Sequence, residues 1–156
     1  MKAQAVRLHG KNDLRLEEVE LPAIADDSGV CVDALNGAPG VYSARYGGPE
    51  LDDAARYRLL LENMRGARTR TAHFTSCIAC VFPNGDTLEA EGVCPGTIAF
   101  APQGDGGFGY DPVFFLPELR KTYAQLTPEE KAAVSHRGKA LAVFEVKLRE
   151  YLKGNG

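Results

Sequence analysis

Apolar and polar residues alternate most regularly in two runs, 71–82 and 87–100, which flank Pro83-Asn84-Gly85-Asp86. Side chains on a strand point alternately to opposite faces, and Asn-Gly supplies the positive φ angles of a tight turn, so this pattern predicts a long β-hairpin. Residues 2–8 and 14–21 alternate around His9-Gly10-Lys11-Asn12-Asp13 and predict a second hairpin at the N-terminus. Residues 23–26 read as a short buried strand that delivers carboxylates to its C-terminal edge, and residues 30–35 as a further strand leaving the same point. The period then becomes helical. In 51–65, Tyr57, Leu60, Leu61 and Met64 share one face opposite a polar outer face, with Gly66 as a C-terminal stop. In 135–154, Leu141, Phe144, Leu148 and Tyr151 form the apolar stripe. Thr127-Pro128-Glu129-Glu130 has the capping-box pattern with proline at the first helical position, which starts a short helix. Residues 36–48 are a glycine- and proline-rich loop. Residues 104–109 are glycine-rich and lead into an extended segment at 112–116.

Composition narrows the class. A chain of 156 residues, 44% hydrophobic and 25% charged, suits a single domain over 1–156 with one core. Its net charge of -3 gives no basic footprint for nucleic acid. No apolar run approaches the roughly 20 residues that span a bilayer, and the first residues lack a secretory apolar region, so a cytoplasmic protein with no membrane partner is expected. Cys31, Cys77, Cys80 and Cys94 are expected to be buried free thiols, because a core of this size needs no disulfide staples. Cys77-Ile78-Ala79-Cys80 lies in a strand-like run without a second metal pair, which argues against zinc.

Three segments could carry chemistry. Asp26-Asp27-Ser28-Gly29 offers two hard carboxylates and a hydroxyl that suit a divalent cation and an activated water, although the same tetrapeptide is a common self-capping turn. Gly107-Phe108-Gly109-Tyr110-Asp111 pairs aromatic faces with glycines that admit a ligand to the backbone, or is a glycine turn feeding a core strand. Ser135-His136-Arg137 gathers donors at a helix start, where they could meet an anionic or carbonyl acceptor or simply cap the helix. His73 has no motif around it and reads as structural. Lys139 reads as facing solvent or a phosphate.

Taken in this order, the three motifs closely resemble the inosine triphosphate pyrophosphatase family, over residues 22–153. The resemblance implies an α/β fold with an elongated, mixed and twisted sheet, flanking helices, and a central cleft between a main lobe and the 71–100 hairpin. It implies magnesium-dependent hydrolysis of purine nucleoside triphosphates such as ITP, dITP and XTP to monophosphate and pyrophosphate. Asp27 would then be general base and metal contact, Asp26 a second metal contact, and Ser28 a nucleotide contact. Phe108, Gly109, Tyr110 and Asp111 would form the base pocket, with Phe108 stacking and Asp111 fixing it. His136 and Arg137 would read the 6-keto oxygen, where adenine presents an amino group, and Lys131 would add a nucleotide contact. Mg2+ follows from the hard oxygen ligands. A homodimer through the 38–48 loop is expected by the same analogy.

Residues 1–22 depart from this pattern and instead resemble the start of zinc-dependent alcohol dehydrogenases, without that class's zinc ligands. The family's Ser/Thr-x-Asn-x-x-Lys phosphate loop and its metal-binding glutamate are not among the 25 residues before Asp26. The expectation is therefore a short β-hairpin in place of the usual strand-loop-helix region, with hydrolysis impaired. The alternative is a non-catalytic nucleotide-binding or assembly remnant of a fusion or truncation.

Overall fold

The computed structural model describes residues 2–10 and 13–154. Strands β1 (Lys2–Gly10) and β2 (Asp13–Glu20) form the N-terminal hairpin, in a register running from Lys2 opposite Glu20 to Gly10 opposite Asp13. Lys11 and Asn12 of its expected turn lie outside the described residues.

The main sheet has five strands in the order β3-β4-β5-β6-β7: Ala23–Val32, Thr71–Val81, Thr87–Ile98, Phe114–Leu116 and Lys121–Thr122. Helices α1 (Asp53–Asn63), α2 (Pro128–Val134) and α3 (His136–Gly154) flank it. The expected α/β architecture of twisted sheet and flanking helices is present. The sheet is not mixed, however: every pairing among the described strands is antiparallel. The long hairpin is also not a separate lobe. It forms the middle of the sheet, with β3 against β4 and β6 against β5.

Alternation decides which face is covered. On β4, Ala72, Phe74, Ser76, Ile78 and Cys80 are buried; on β5, Leu88, Ala90, Cys94 and Ile98 are buried. Helix α3 lies on this face, across β5 and β4. Its close seating depends on Gly92, where an added Cβ would stand 2.2 Å from the His136 carbonyl oxygen and 2.3 Å from the Ala140 nitrogen. Ala140 and Phe144 pack with Ile78, Cys80, Leu88 and Ala90, joined by Leu148 and Tyr151. Leu141 departs from the expected stripe: it is exposed and faces a cavity instead.

A larger core joins Val30, Val32, Leu60, Met64, Phe74, Ile98, Val113, Phe114 and Tyr123. Phe74 meets Phe114 edge-on and stacks parallel to Tyr123 and His136. Met64 and Leu60 fulfil the predicted inner face of α1, but Arg56 is buried too, so the remaining surface of that helix is not uniformly polar and exposed. The capping box of α2 forms, with Thr127 Oγ1 accepting from the Glu130 N–H and the Glu130 carboxylate accepting from the Thr127 N–H.

Two local expectations are corrected. Residues 23–26 and 30–35 are not two strands: β3 runs unbroken to Val32, and Asp33–Leu35 is a 3-10 helix. Nor is the first half buried. Residues 23–27 are exposed, because β3 is an edge strand and its early residues have no layer over them. All four cysteines are free, as expected, but Cys77 is exposed on the uncovered face.

Candidate active site

Strand β3 presents Asp26, Asp27 and Ser28 midway along its length. Asp26 pairs with buried Ile78 and so lies on the face covered by α3, whereas Asp27 pairs with exposed Cys77 on the other face. The two adjacent carboxylates are thereby divided by the strand. Asp26 Oδ2 accepts a hydrogen bond from Arg137 Nε at 2.7 Å, forming a half-exposed ion pair between residues 111 apart. Among the described residues, Asp27 Oδ1 accepts from the next backbone N–H, that of Ser28, at 2.9 Å.

A 3-10 helix over Gly40–Arg45 packs beside β3. The contact requires glycine at 29, since a Cβ there would lie 2.2 Å from the Gly40 carbonyl oxygen. Ser43 closes the junction: its Oγ accepts from the Val30 N–H and donates to the Gly40 carbonyl.

The second wall is the loop before β6. Gly107 and Gly109 both have positive φ, at 76° and 59°, and hold Phe108 between them with its ring 65% exposed. Asp111 is 3% exposed and its Oδ2 accepts from the Phe108 N–H at 2.8 Å and from Lys131 Nζ. Lys131 Nζ also lies 4.9 Å from the centre of the Phe108 ring. Tyr110 is buried and donates its hydroxyl to the Ser43 carbonyl at 2.8 Å, joining this loop to the 3-10 helix. Burial pushes the Tyr110 hydroxyl far above the ordinary tyrosine range, so it remains a donor. The two readings of this motif thus divide between its aromatics: Tyr110 is core, and Phe108 is displayed.

The third wall is the α2–α3 junction. Ser135 Oγ accepts from the Gly138 N–H and caps α3. His136, 8% exposed, stacks on Phe74 at 4.6 Å with its Nδ1 unpartnered. Burial, then the positive charges of Arg137 and Lys131, lowers its pKa to about 4, which keeps the imidazole neutral at physiological pH. Lys139 is exposed to solvent, as one of its two readings expects, is not among the cavity's lining residues, and donates to the Val93 carbonyl.

These walls enclose a cavity of about 630 Å³. Asp26, Asp27, Ser28, Phe108, Gly109, Tyr110, Asp111, Lys131, His136 and Arg137 all line it. Sequence reasoning missed Ser43, Asp53 and Arg56, which line it as well. No motif surrounds Asp53 near the start of the 51–65 helix, and nothing local distinguishes Arg56 from a solvated helix arginine.

The model of the Ham1 family matches residues 3–147, a span that holds every residue lining the cavity. The chain belongs to the Ham1 family. The match begins at residue 3 and so runs through the N-terminal hairpin as well as the motifs from Pro22 onward. This Ham1 chain is 53% identical over 131 residues to the dITP/XTP pyrophosphatase of Exiguobacterium sp., covering 84% of the chain and 67% of that relative. It is 47% identical over 148 residues to the dITP/XTP pyrophosphatase of Geobacillus kaustophilus, covering 94% and 72%. Among solved structures, a HAM1 protein from Coxiella burnetii superposes with a TM-score of 0.80 at 46% identity, covering 83% of this chain and 68% of that one. The Staphylococcus aureus Ham1 protein gives 0.78 at 42% identity, covering 86% and 68%.

No group of three or more His, Cys, Asp or Glu that could hold a metal ion is present among the described residues of this Ham1 chain. The donors that exist are carboxylate oxygens, which suit a hard cation that keeps its waters and draws further ligands from substrate phosphates. No helix among the described residues is long and apolar enough to cross a membrane.

Proposed function

We propose that this chain hydrolyses purine nucleoside triphosphates carrying a 6-keto group, of the ITP, dITP and XTP class, to the monophosphate and pyrophosphate. The observation that carries the reading is that one cavity is lined by the exposed ring of Phe108, by the Arg137–Asp26 ion pair and by Asp27. The relatives' name, dITP/XTP pyrophosphatase, supports the same substrate class.

Phe108 supplies the stacking face for the purine, with Lys131 and Asp111 holding it from behind. Arg137 reads the 6-keto oxygen. Asp26 engages its Nε, which leaves the two terminal nitrogens to donate into the cavity, and an amino group at that position would meet a donor. His136 adds a neutral imidazole to the same wall. Ser28 contacts the nucleotide, and Gly109 and Tyr110 shape and anchor the base pocket. Asp27 is the general base that takes the proton of the attacking water, a role suited by its exposure and by its hydrogen bond to the adjacent Ser28 N–H.

Asp27 and Asp26 would hold Mg2+, which would supply charge neutralisation for the pyrophosphate leaving group. The enzyme is read as cytoplasmic and as a homodimer joined through the 38–48 loop, where Val41 and Tyr42 stand exposed.

The deciding experiment follows monophosphate and pyrophosphate release from ITP, XTP and ATP, with magnesium and with chelator. Release of pyrophosphate from ITP and XTP in preference to ATP, abolished by chelation, is expected. Equal rates on ITP and ATP, or orthophosphate as the product, would overturn the proposal.

A further inference from the structure

Phe108 is held in an unusual way for an exposed ring. Its two neighbours are glycines at positive φ, which by themselves leave the loop tip free to take several backbone conformations. One tether comes from within the loop, the Phe108 N–H donating to Asp111 Oδ2. A second comes from 56 residues away: the Gly109 N–H donates to Asp53 Oδ2 at 2.8 Å.

Asp53 is the first residue of α1 and does not cap it, since that task falls to Asp52, whose Oδ1 accepts from the Ala55 N–H at 2.7 Å. Its carboxylate is therefore available to the loop. The other oxygen faces Arg56, with Nη1 3.7 Å from Asp53 Oδ1. Arg56 is 6% exposed, donates from Nη2 to the Gly48 carbonyl, and has no partner for its buried Nε. A guanidinium withdrawn this far from water is costly unless it has a counter-charge, and Asp53 is the carboxylate beside it. The chain of contacts runs from Gly48 through Arg56 and Asp53 to Gly109, and every side chain in it lines the cavity.

We propose that Asp53 is a positioning residue for nucleobase binding: it fixes the Gly109 N–H so that Phe108 is presented as a stacking face, and Arg56 holds Asp53 in place. The inference rests on the reading of Phe108 as the purine platform. Asp53 acts on the base alone and contributes nothing to the triphosphate.

The test uses equilibrium binding of ITP and of inorganic tripolyphosphate, a probe with no base, to the full chain. In Asp53→Ala the ITP dissociation constant should rise about tenfold while that of tripolyphosphate stays within twofold. Asp53→Asn, which keeps an oxygen acceptor for the Gly109 N–H, should restore most of the ITP affinity. The chain contains no tryptophan, so Phe108→Trp provides a single fluorophore at the loop tip. Its anisotropy without ligand should fall when Asp53→Ala is added and recover with Asp53→Asn. Unchanged ITP affinity in Asp53→Ala, or equal weakening of both ligands, would overturn the positioning role. So would a failure of Asp53→Asn to recover the anisotropy. If Phe108→Ala also leaves ITP affinity unchanged, the platform reading falls with it. Loss of ITP affinity in Phe108→Ala but not in Asp53→Ala sinks this inference alone.

Discussion

The two ends of the cavity are built differently. At the loop and α3 end, each displayed group is held by at least one partner distant in sequence: Phe108 through Asp111 and Lys131, Gly109 through Asp53, and Arg137 through Asp26. At the β3 end, the bond Asp27 makes among the described residues is to its own neighbour's N–H, on an edge strand whose residues 23–27 are exposed. Preorganised donors discriminate between ligands because they need no rearrangement to bind the right one. An open carboxylate gains its partners only when a ligand brings phosphates and a cation. On the proposed function, the contrast would place selectivity at one end and chemistry at the other.

The sharpest way to break that division is Asp27→Asn. Removing the proton acceptor should lower pyrophosphate release about 10²- to 10⁴-fold while ITP binding changes little. Steady-state kinetics with a direct binding measurement checks both halves. A variant that loses affinity and turnover together would make Asp27 a binding group.

Lys131→Met attacks the other end. Asp111 is 3% exposed, so losing the ammonium beside it leaves a buried carboxylate with only the Phe108 N–H. Uncompensated buried charges cost about 3–5 kcal/mol, and partial exposure of Lys131 puts the expected loss toward the lower figure. Urea unfolding should report it, with base selectivity loosened in the surviving fold. Lys131→Met with unaltered stability would mean that Asp111 finds another partner.

Arg137→Ala should reduce the preference for ITP over ATP ten- to hundredfold, roughly the value of a charge-assisted hydrogen bond of 1.5–3 kcal/mol. Competition binding of the two nucleotides measures it. Asp26→Ala tests the same wall from behind. If Asp26 orients Arg137, as their 2.7 Å contact supports, selectivity falls in this variant as well; a pure metal role would spare it.

The contrast between the two ends also explains what could be read from the sequence. The long hairpin, the capping box at Thr127 and the inner face of α1 are marked by residue types spaced a few positions apart, and local pattern records such signals. The order of the three motifs led to the Ham1 family and to the residues that share the cavity. The expectation of burial for residues 23–26 fails because apolar letters on an edge strand look the same as those in a covered one. Two-residue β7 is too short for any period to register. Asp26 with Arg137 and Asp53 with Gly109 join positions 111 and 56 apart, and no spacing rule reaches that far. Buried Arg56 was hidden for a related reason: its neighbours Asp53 and the Gly48 carbonyl are brought together by the turn into α1.

The smallest effect expected near neutral pH concerns His136 and bears on how rigid the selective end is. Its pKa in the fold, about 4, is below the ordinary 6.5 of an unfolded histidine, so between those values the unfolded chain holds a proton that the folded chain excludes. Stability from this group is therefore complete above about pH 6.5 and is lost as pH falls through the window toward 4, at no more than about 1.4 kcal/mol per pH unit. The charged groups around it are Arg137 and Lys131, each paired with a carboxylate, Asp26 and Asp111. The comparison that isolates the imidazole is between two proteins rather than two pH values. His136→Gln keeps a polar side chain but cannot titrate, and its thermal midpoint should fall less steeply than the parent's from pH 6.5 to 4.5. Above pH 7 the two slopes should coincide. Equal slopes below pH 6.5 would mean that the imidazole accepts its proton without leaving Phe74, and the selective end would then yield to charge more readily than its packing implies.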